Sequence, residues 1–448
     1  MPARPAHALA CALLLLAASA AAGPAIDDPA LRTRVTELEN GLQLLTLEDR
    51  TTPVVSFQMW VKVGSKDESR FTGLAHLFEH MMFKGSAHIA PEEHARLVQA
   101  RGGVVNAYTT NDYTVYFANV PAEALPLVID LEAERVAHLD ISEQTLESER
   151  QVVLEERRLR SEDRPNGRAR EALFSLAFRA HPYRWPVIGW RSDVAAATVE
   201  ACREFFRTFY APDNIVIAIV GDFDAADAIA RVTRAFGSLE PAGSIPRNPQ
   251  VEPEQAGERR ETVHFDLQGP VWNAAWHAPA VGHPDADALD VAAQILSGGR
   301  SSRLYESLVR GAEQALSAHA FLYEFQSAGL FMAAASVRPD ASVERVEELV
   351  FAEIDRLRDS LASEAELDKA RRQIEVALVG SPVTNSDLAG RIAFDTITFG
   401  RIRPLSEVLD ALRAVTAADV QRVARTYLVP ERRSVVQVVP PPREGDSG

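Results

Sequence analysis

Cysteine is nearly absent from this 448-residue chain, which has only Cys11 and Cys202. Basic charge is also in deficit. Lysine and arginine number 47 against 63 aspartates and glutamates, and the formal net charge is −16. A nucleic-acid binder would show a basic patch or stripe, so that class of partner is not expected. The acidity reads as a solvated surface that keeps the protein soluble, and it would favour basic partners only where it lined a cavity. Apolar runs of membrane-spanning length, about 20 residues, are missing as well. The one strongly apolar run, Leu9 to Ala18, is too short to span. It follows Arg4 and His7 and precedes Ala20-Ala21-Ala22, the layout of a secretory leader with a small-residue cleavage site. Cys11 precedes most of that run, a poor position for a lipid-bearing cysteine. With the leader removed a single thiol remains, so no internal disulfide can form. The expected location is periplasmic or secreted.

What is present is globular in composition, 46% hydrophobic and 25% charged. The length implies two domains, since domains commonly run to about 100–200 residues. Short strands are predicted over Val35–Leu38 and Leu42–Leu47, with Asn40-Gly41 turning between them, and over Val54–Val63. Helical patterns follow at 73–84, 91–101, 121–138 and 142–161, Val104–Asn119 is strand-rich, and Ile215–Val220 is a β-branched strand. Pro241, Pro246, Pro249 and Pro253 mark a linker. The second half echoes the first. Tyr210-Ala211-Pro212 leads into Ile215–Val220, as Tyr427-Leu428-Val429-Pro430 leads into Ser434–Val439. This grammar predicts two related α/β domains. The expected layout is a signal peptide over 1–25, a first domain over 26–240, a linker over 241–258, a second domain over 259–440 and a tail over 441–448.

Residues 73–84 read Gly-Leu-Ala-His-Leu-Phe-Glu-His-Met-Met-Phe-Lys. On a helix His76 and His80 share a face, and two imidazoles so spaced can hold one Zn²⁺ at roughly 2.0–2.1 Å. Glu79 lies beside them, where a carboxylate can take a proton from water whose pKa zinc lowers to about 7. The order inverts the commoner His-Glu-x-x-His pattern. The competing explanation is a pair of hydrogen-bonded histidines on a core helix. A third ligand is sought in 142–161, where Leu146, Glu149, Val152, Val153, Glu156 and Leu159 share one helical stripe and Arg157 points elsewhere. Carboxylates in an apolar stripe need a cation or donors. Either a metal ion or a salt bridge to arginine would serve.

These segments resemble the pitrilysin/insulinase family of zinc peptidases, which includes the mitochondrial processing peptidases. The resemblance runs along nearly the whole mature chain. Besides Gly73–Met81 it is carried by Asn106-Ala107, Glu149–Glu156, His181-Pro182-Tyr183, Gly189-Trp190, and Tyr210–Asn214 leading into Val220-Gly221-Asp222. It implies an α+β fold of two related domains, each a mostly antiparallel sheet covered by helices. It implies one zinc ion per chain on His76, His80 and Glu156, with Glu79 as general base and Glu149 supporting the site. Asn106 and Ala107 match the strand edge that pairs with substrate backbone, although Asn106 alone would also suit a turn. Arg310 matches a substrate-holding arginine whose tyrosine companion lies seven residues on. Ser317 stands at that place, with Tyr323 nearby as a substitute. Short members of the family pair, so a homo- or heterodimer with a homologous subunit is expected. The leading functional expectation is a zinc endopeptidase acting on peptides or unfolded segments, its site completed by a sister subunit. The alternative is a non-catalytic peptide-binding or assembly subunit.

Overall fold

A computed structural model describes residues 27–380 and 384–442. The expected signal peptide, with Cys11, and the last residues of the tail lie outside them. Strand-forming residues collect into two sheets. The first holds β1 (Arg34–Glu37), β2 (Gln43–Glu48), β3 (Val54–Val61), β4 (Val104–Thr109), β5 (Thr114–Pro121) and β6 (Ile215–Gly221), in the order β1-β2-β6-β3-β5-β4. The second holds β7 (Arg259–His264), β8 (Val271–Ala278), β9 (Ala315–Tyr323), β10 (Gly329–Val337) and β11 (Arg433–Val439), in the order β7-β11-β8-β10-β9. Without β1 the two share one topology. The last strand of each half inserts parallel to its first, β6 beside β2 and β11 beside β7. Every other pairing is antiparallel. The expected α+β architecture of two related, mostly antiparallel domains is what the chain forms, and the two Tyr-Pro signals precede equivalent strands. No described helix is long and apolar enough to cross a membrane.

β6 is buried at every residue, so its sheet is covered on both faces. Successive side chains point to opposite faces. Ile215, Ile217 and Ile219 join the core with Phe78, Val128 and Val232 of the first half's own helices. Val216, Ala218 and Val220 face the other way and meet Leu388, Ala389, Ile392 and Ala393, on the helix Asn385–Phe399 of the second half. The loan is returned. Leu173, Phe174 and Ala177, on the first-half helix Pro165–Ala177, pack with Ala275, Leu330, Met332 and Val436 of the second sheet. Burying Leu388 and Ile392 contributes roughly 1.5–3 kcal/mol each, as an upper bound. Each half therefore lends a helix to the other across the irregular 241–258 segment.

Candidate metal centre

The helix Leu74–Met81 starts where the Glu68 carboxylate accepts the backbone N–H groups of Gly73 and Ala75, both at 2.8 Å. These are orphan donors of a helix N-terminus, capped here from outside the helix. Gly73 has φ of +91°, and a Cβ there would lie 2.7 Å from the Ile188 carbonyl oxygen, so the chain crossing at Gly73 and Gly189 needs glycine. Leu74, Ala75, Leu77, Phe78 and Met81 face the core. That leaves His76, Glu79 and His80 on the remaining arc.

The second contributing helix, Glu143–Arg157, begins with reciprocal Ser142 and Thr145 caps. It packs against the motif helix through Leu146, Glu149 and Val153, all buried. Val152 and Leu159, expected on the same stripe, are 46% and 49% exposed. Their stripe is narrower than expected, and Leu159 falls within a widened π-type turn over Arg158–Glu162, where α-helical spacing no longer holds. Arg157 turns inward, where it donates to both Glu171 carboxylate oxygens at 2.8 and 3.0 Å.

His76, His80 and Glu156 each turn one ligand atom toward a common point, and those atoms lie within 4.8 Å of one another. Glu156 Oε2 is 3.2 Å from His80 Nε2 and 3.8 Å from His76 Nε2. Behind His80, Glu149 Oε2 lies 3.7 Å from Nδ1, and Lys84 Nζ lies 3.2 Å from Glu149 Oε1. A carboxylate at the far nitrogen fixes the tautomer of a ligating imidazole. Lys84 also pairs with Glu92, a residue of positive φ. Glu79 accepts a hydrogen bond from Thr109 Oγ1 at 2.7 Å, which ties it to the end of β4.

Burial drives the His76 pKa down to about 4, with His80 adding to the effect, so its imidazole is neutral at pH 7. Burial opposes protonation of His80 too, but the Glu149 and Glu156 carboxylates outweigh it and hold His80 up at about 9. The hydrogen bond with His80 keeps Glu156 below the ordinary carboxylate range. Burial would raise Glu149, yet its bonds to His80 and Lys84 prevail and lower it. Burial raises Glu79, partly offset by Thr109. Two imidazoles and an ionised carboxylate, already convergent, fit a zinc ion with a fourth position left for water or substrate. This is the one such cluster of three among the described residues.

The cluster opens on a cavity of about 450 Å³ that His76 and Glu156 line together with Thr109, Arg160, Arg170 and Tyr323. Another cavity, about 490 Å³ near Glu68, Arg70 and Arg247, includes none of the cluster. Asn106 lies on the edge strand β4 with its side chain exposed, not in a turn, and Ala107 beside it is buried. Arg310 is exposed, pairs with Glu306 and does not line the metal-site cavity. Ser317 sits on β9 opposite Ser336, also away from that cavity. Tyr323 of the second half does reach it. Sequence reasoning missed Lys84, Thr109, Arg160 and Arg170. The lysine falls one helical turn after His80, a spacing that could have drawn attention to it.

Two family models match the chain. The one described as Insulinase (Peptidase family M16) covers residues 43–190, and the one described as Peptidase M16 inactive domain covers residues 196–374. The second segment contains none of the clustered ligands. Zinc protease PqqE of Helicobacter pylori is 30% identical over 408 residues, spanning 90% of this chain and 92% of that one. An uncharacterized zinc protease of Mycobacterium tuberculosis is 31% identical, spanning 90% and 93%. The crystal structure of a protease from Helicobacter pylori superposes with a TM-score of 0.86 at 29% identity, covering 91% of this chain and 99% of that one. A Pseudomonas fluorescens structure described as a peptidase M16 inactive domain shares the fold, with a TM-score of 0.80 at 21% identity, covering 92% and 98%.

Proposed function

The chain belongs to the insulinase family of peptidases, family M16, and on that premise we propose that it is a zinc-dependent endopeptidase acting on peptides or unfolded segments. The observation that carries this reading is the convergence of His76, His80 and Glu156 at the mouth of a cavity, with Glu79 on the same helix face. His76, His80 and Glu156 would hold one zinc ion, with Glu149 and Lys84 steadying His80. When bound, zinc supplies Lewis acidity to the scissile carbonyl and to the attacking water.

Glu79 takes the proton of that water and returns it to the leaving amine. Its raised pKa suits both tasks, because a general base works best when its pKa lies near the operating pH. Thr109 donates to Glu79 and so aims it. Among the described residues β4 pairs only with β5, leaving its outer edge available to an extended peptide as an added strand. Asn106 and Ala107 lie along that strand, and Thr109 brings its end to Glu79. An exported location, periplasmic or secreted, is part of the proposal and rests on residues 1–25.

Arg310 and Ser317 do not line this chain's own metal-site cavity. A substrate role for Arg310 would then lie at the site of a facing copy or sister subunit, and pairing of that kind is part of the proposal. Tyr323 favours a second arrangement in which one chain supplies its own phenol. The non-catalytic alternative draws on the inactive-domain match over 196–374. The test is cleavage of an internally quenched peptide by the zinc-loaded protein. Turnover lost on chelation and absent in Glu79→Gln is the expected result. A zinc-loaded protein that binds peptide without cutting it, alone and with a sister subunit, would show the binding-subunit reading to be right.

A further inference from the structure

The cavity beside the metal cluster has a charge that the overall acidity of the chain conceals. Two arginines, Arg160 and Arg170, line it with His76 and Glu156. Arg160 Nη1 lies 2.6 Å from Glu156 Oε1, so its side chain is drawn toward the metal cluster. Glu171, the other carboxylate of the wall, is taken bidentately by buried Arg157. Arg170 has no such partner, and among the described residues it forms no ion pair. Its Nη2 donates to the Tyr323 hydroxyl at 2.6 Å. Its guanidinium carbon lies 5.5 Å from the Phe174 ring centre and 5.2 Å from that of Tyr323. Two aromatic faces and a phenol thus hold one guanidinium in place, with donors left over.

Two other carboxylates lie nearby, and neither forms an ion pair with Arg170 among the described residues. An adjoining cavity of about 260 Å³ shares Arg170 and Tyr323 and adds Asp112 and Glu324. Asp112 accepts the Tyr183 hydroxyl at 2.6 Å and the Gln326 N–H at 3.1 Å. Burial, with the Asp287 charge adding to it, raises the Glu324 pKa and so disfavours its ionised form. The remaining wall is mixed, with Phe174, Val187 and Ile188 beside the polar Thr109, Asn111 and Ser161. Arg170 is exposed, and its unpaired guanidinium, held against Phe174 and Tyr323, presents its free donors to a carboxylate entering the cavity.

We propose that Arg170 is a specificity-determining residue that makes this cavity a subsite for a substrate carboxylate close to the scissile bond. The proposal rests on the peptidase reading and narrows it. The carboxylate is that of a glutamate or aspartate side chain, or of the peptide C-terminus.

The test uses the zinc-loaded full chain and a randomised internally quenched peptide library, with cleavage sites read by mass spectrometry. Acidic residues should be enriched at one position within two residues of the cut. Changing that residue from Glu to Gln in a single peptide should lower kcat/KM about tenfold. Arg170→Gln should abolish the difference, and Arg170→Glu should shift the preference to Lys or Arg. Matched peptides with amidated C-termini separate the sources, since loss of cleavage on amidation alone assigns the site to a terminal carboxylate. Cleavage with no preference for either carboxylate, or an acidic preference that survives in Arg170→Glu, overturns the proposal. If no peptide is cut, alone or with a sister subunit, the peptidase reading fails, and the subsite is judged by fluorescence anisotropy of the same Glu and Gln peptides on Glu79→Gln. An Arg170-dependent preference for Glu supports it there, and equal or absent binding overturns it.

Discussion

Zinc should compete with a single proton at this site, and the competition can be worked through from His80. In the metal-free protein His76, at about 4, is already unprotonated at pH 7, and Glu156 is ionised. His80, held at about 9 by Glu149 and Glu156, carries a proton on the nitrogen that zinc needs. Two pH units below that pKa, roughly 99 in 100 molecules are protonated. Displacing the proton then weakens binding about 100-fold, or ~2.7 kcal/mol at 1.36 kcal/mol per unit. Apparent affinity should rise about tenfold per pH unit from 7 to 9 and then level off. Titration calorimetry at pH 7 in two buffers of different ionisation enthalpy, with zinc held by a competing chelator, should give about one proton released per zinc. Metal-free stability should move the other way. A folded pKa of about 9 against an ordinary 6.5 stabilises fully below about 6.5 and is lost as pH rises through 9, at most about 3–4 kcal/mol. Zinc replaces the proton, so the loaded protein should lack that slope. Affinity that is flat from pH 6 to 9, with no proton released at pH 7, would refute this picture of the site.

Three further outcomes are expected. Alanine at His76, His80 or Glu156 should abolish zinc retention by elemental analysis, whereas Glu79→Gln should keep its zinc and lose about 10²–10⁴ in turnover; the reverse pattern for Glu79 and Glu156 would exchange their roles. Glu149→Gln should weaken zinc binding or activity about 10–100-fold, and unchanged values in both measurements would remove Glu149 from the site. Finally, the isolated chain should gain activity when mixed with a homologous subunit carrying the missing tyrosine, oxyanion-type donors commonly being worth about 10²–10³ in kcat. Full activity alone, unaffected by that subunit but lost in Tyr323→Phe, would instead assign the phenol to this chain.

The His76–His80 and Glu149–Glu156 pairs were legible because each depends on local spacing, whereas the meeting of Glu156 with the two histidines was expected only from the family resemblance. One turn separates His76 from His80, and two turns separate Glu149 from Glu156. The shared topology was also visible, faintly, in two Tyr-Pro signals ahead of β6 and β11. Features that depend on distant neighbours were not. Leu173 and Phe174 announce an apolar face, but nothing local says that it meets β8, β10 and β11 of the other half. Arg157 reads as a surface arginine until Glu171, fourteen residues on, is folded against it. Arg170 and Tyr323 are 153 positions apart and become one feature only after the two sheets are placed together. Val152 fits the helical stripe by its angle, yet it is exposed.

The mutual loan of helices has a consequence for how such a chain can be assembled. A half expressed alone would bare two apolar surfaces, the underside of its sheet and the inner face of the helix that belongs on the other sheet. Two copies of one half could cover both by trading that helix, which is the geometry of a domain-swapped dimer. Joining those copies through a segment like 241–258 would alter no contact within either core. It would replace a concentration-dependent encounter with a fixed effective concentration set by the tether. The intact chain is, in this sense, a swapped dimer that dilution cannot take apart.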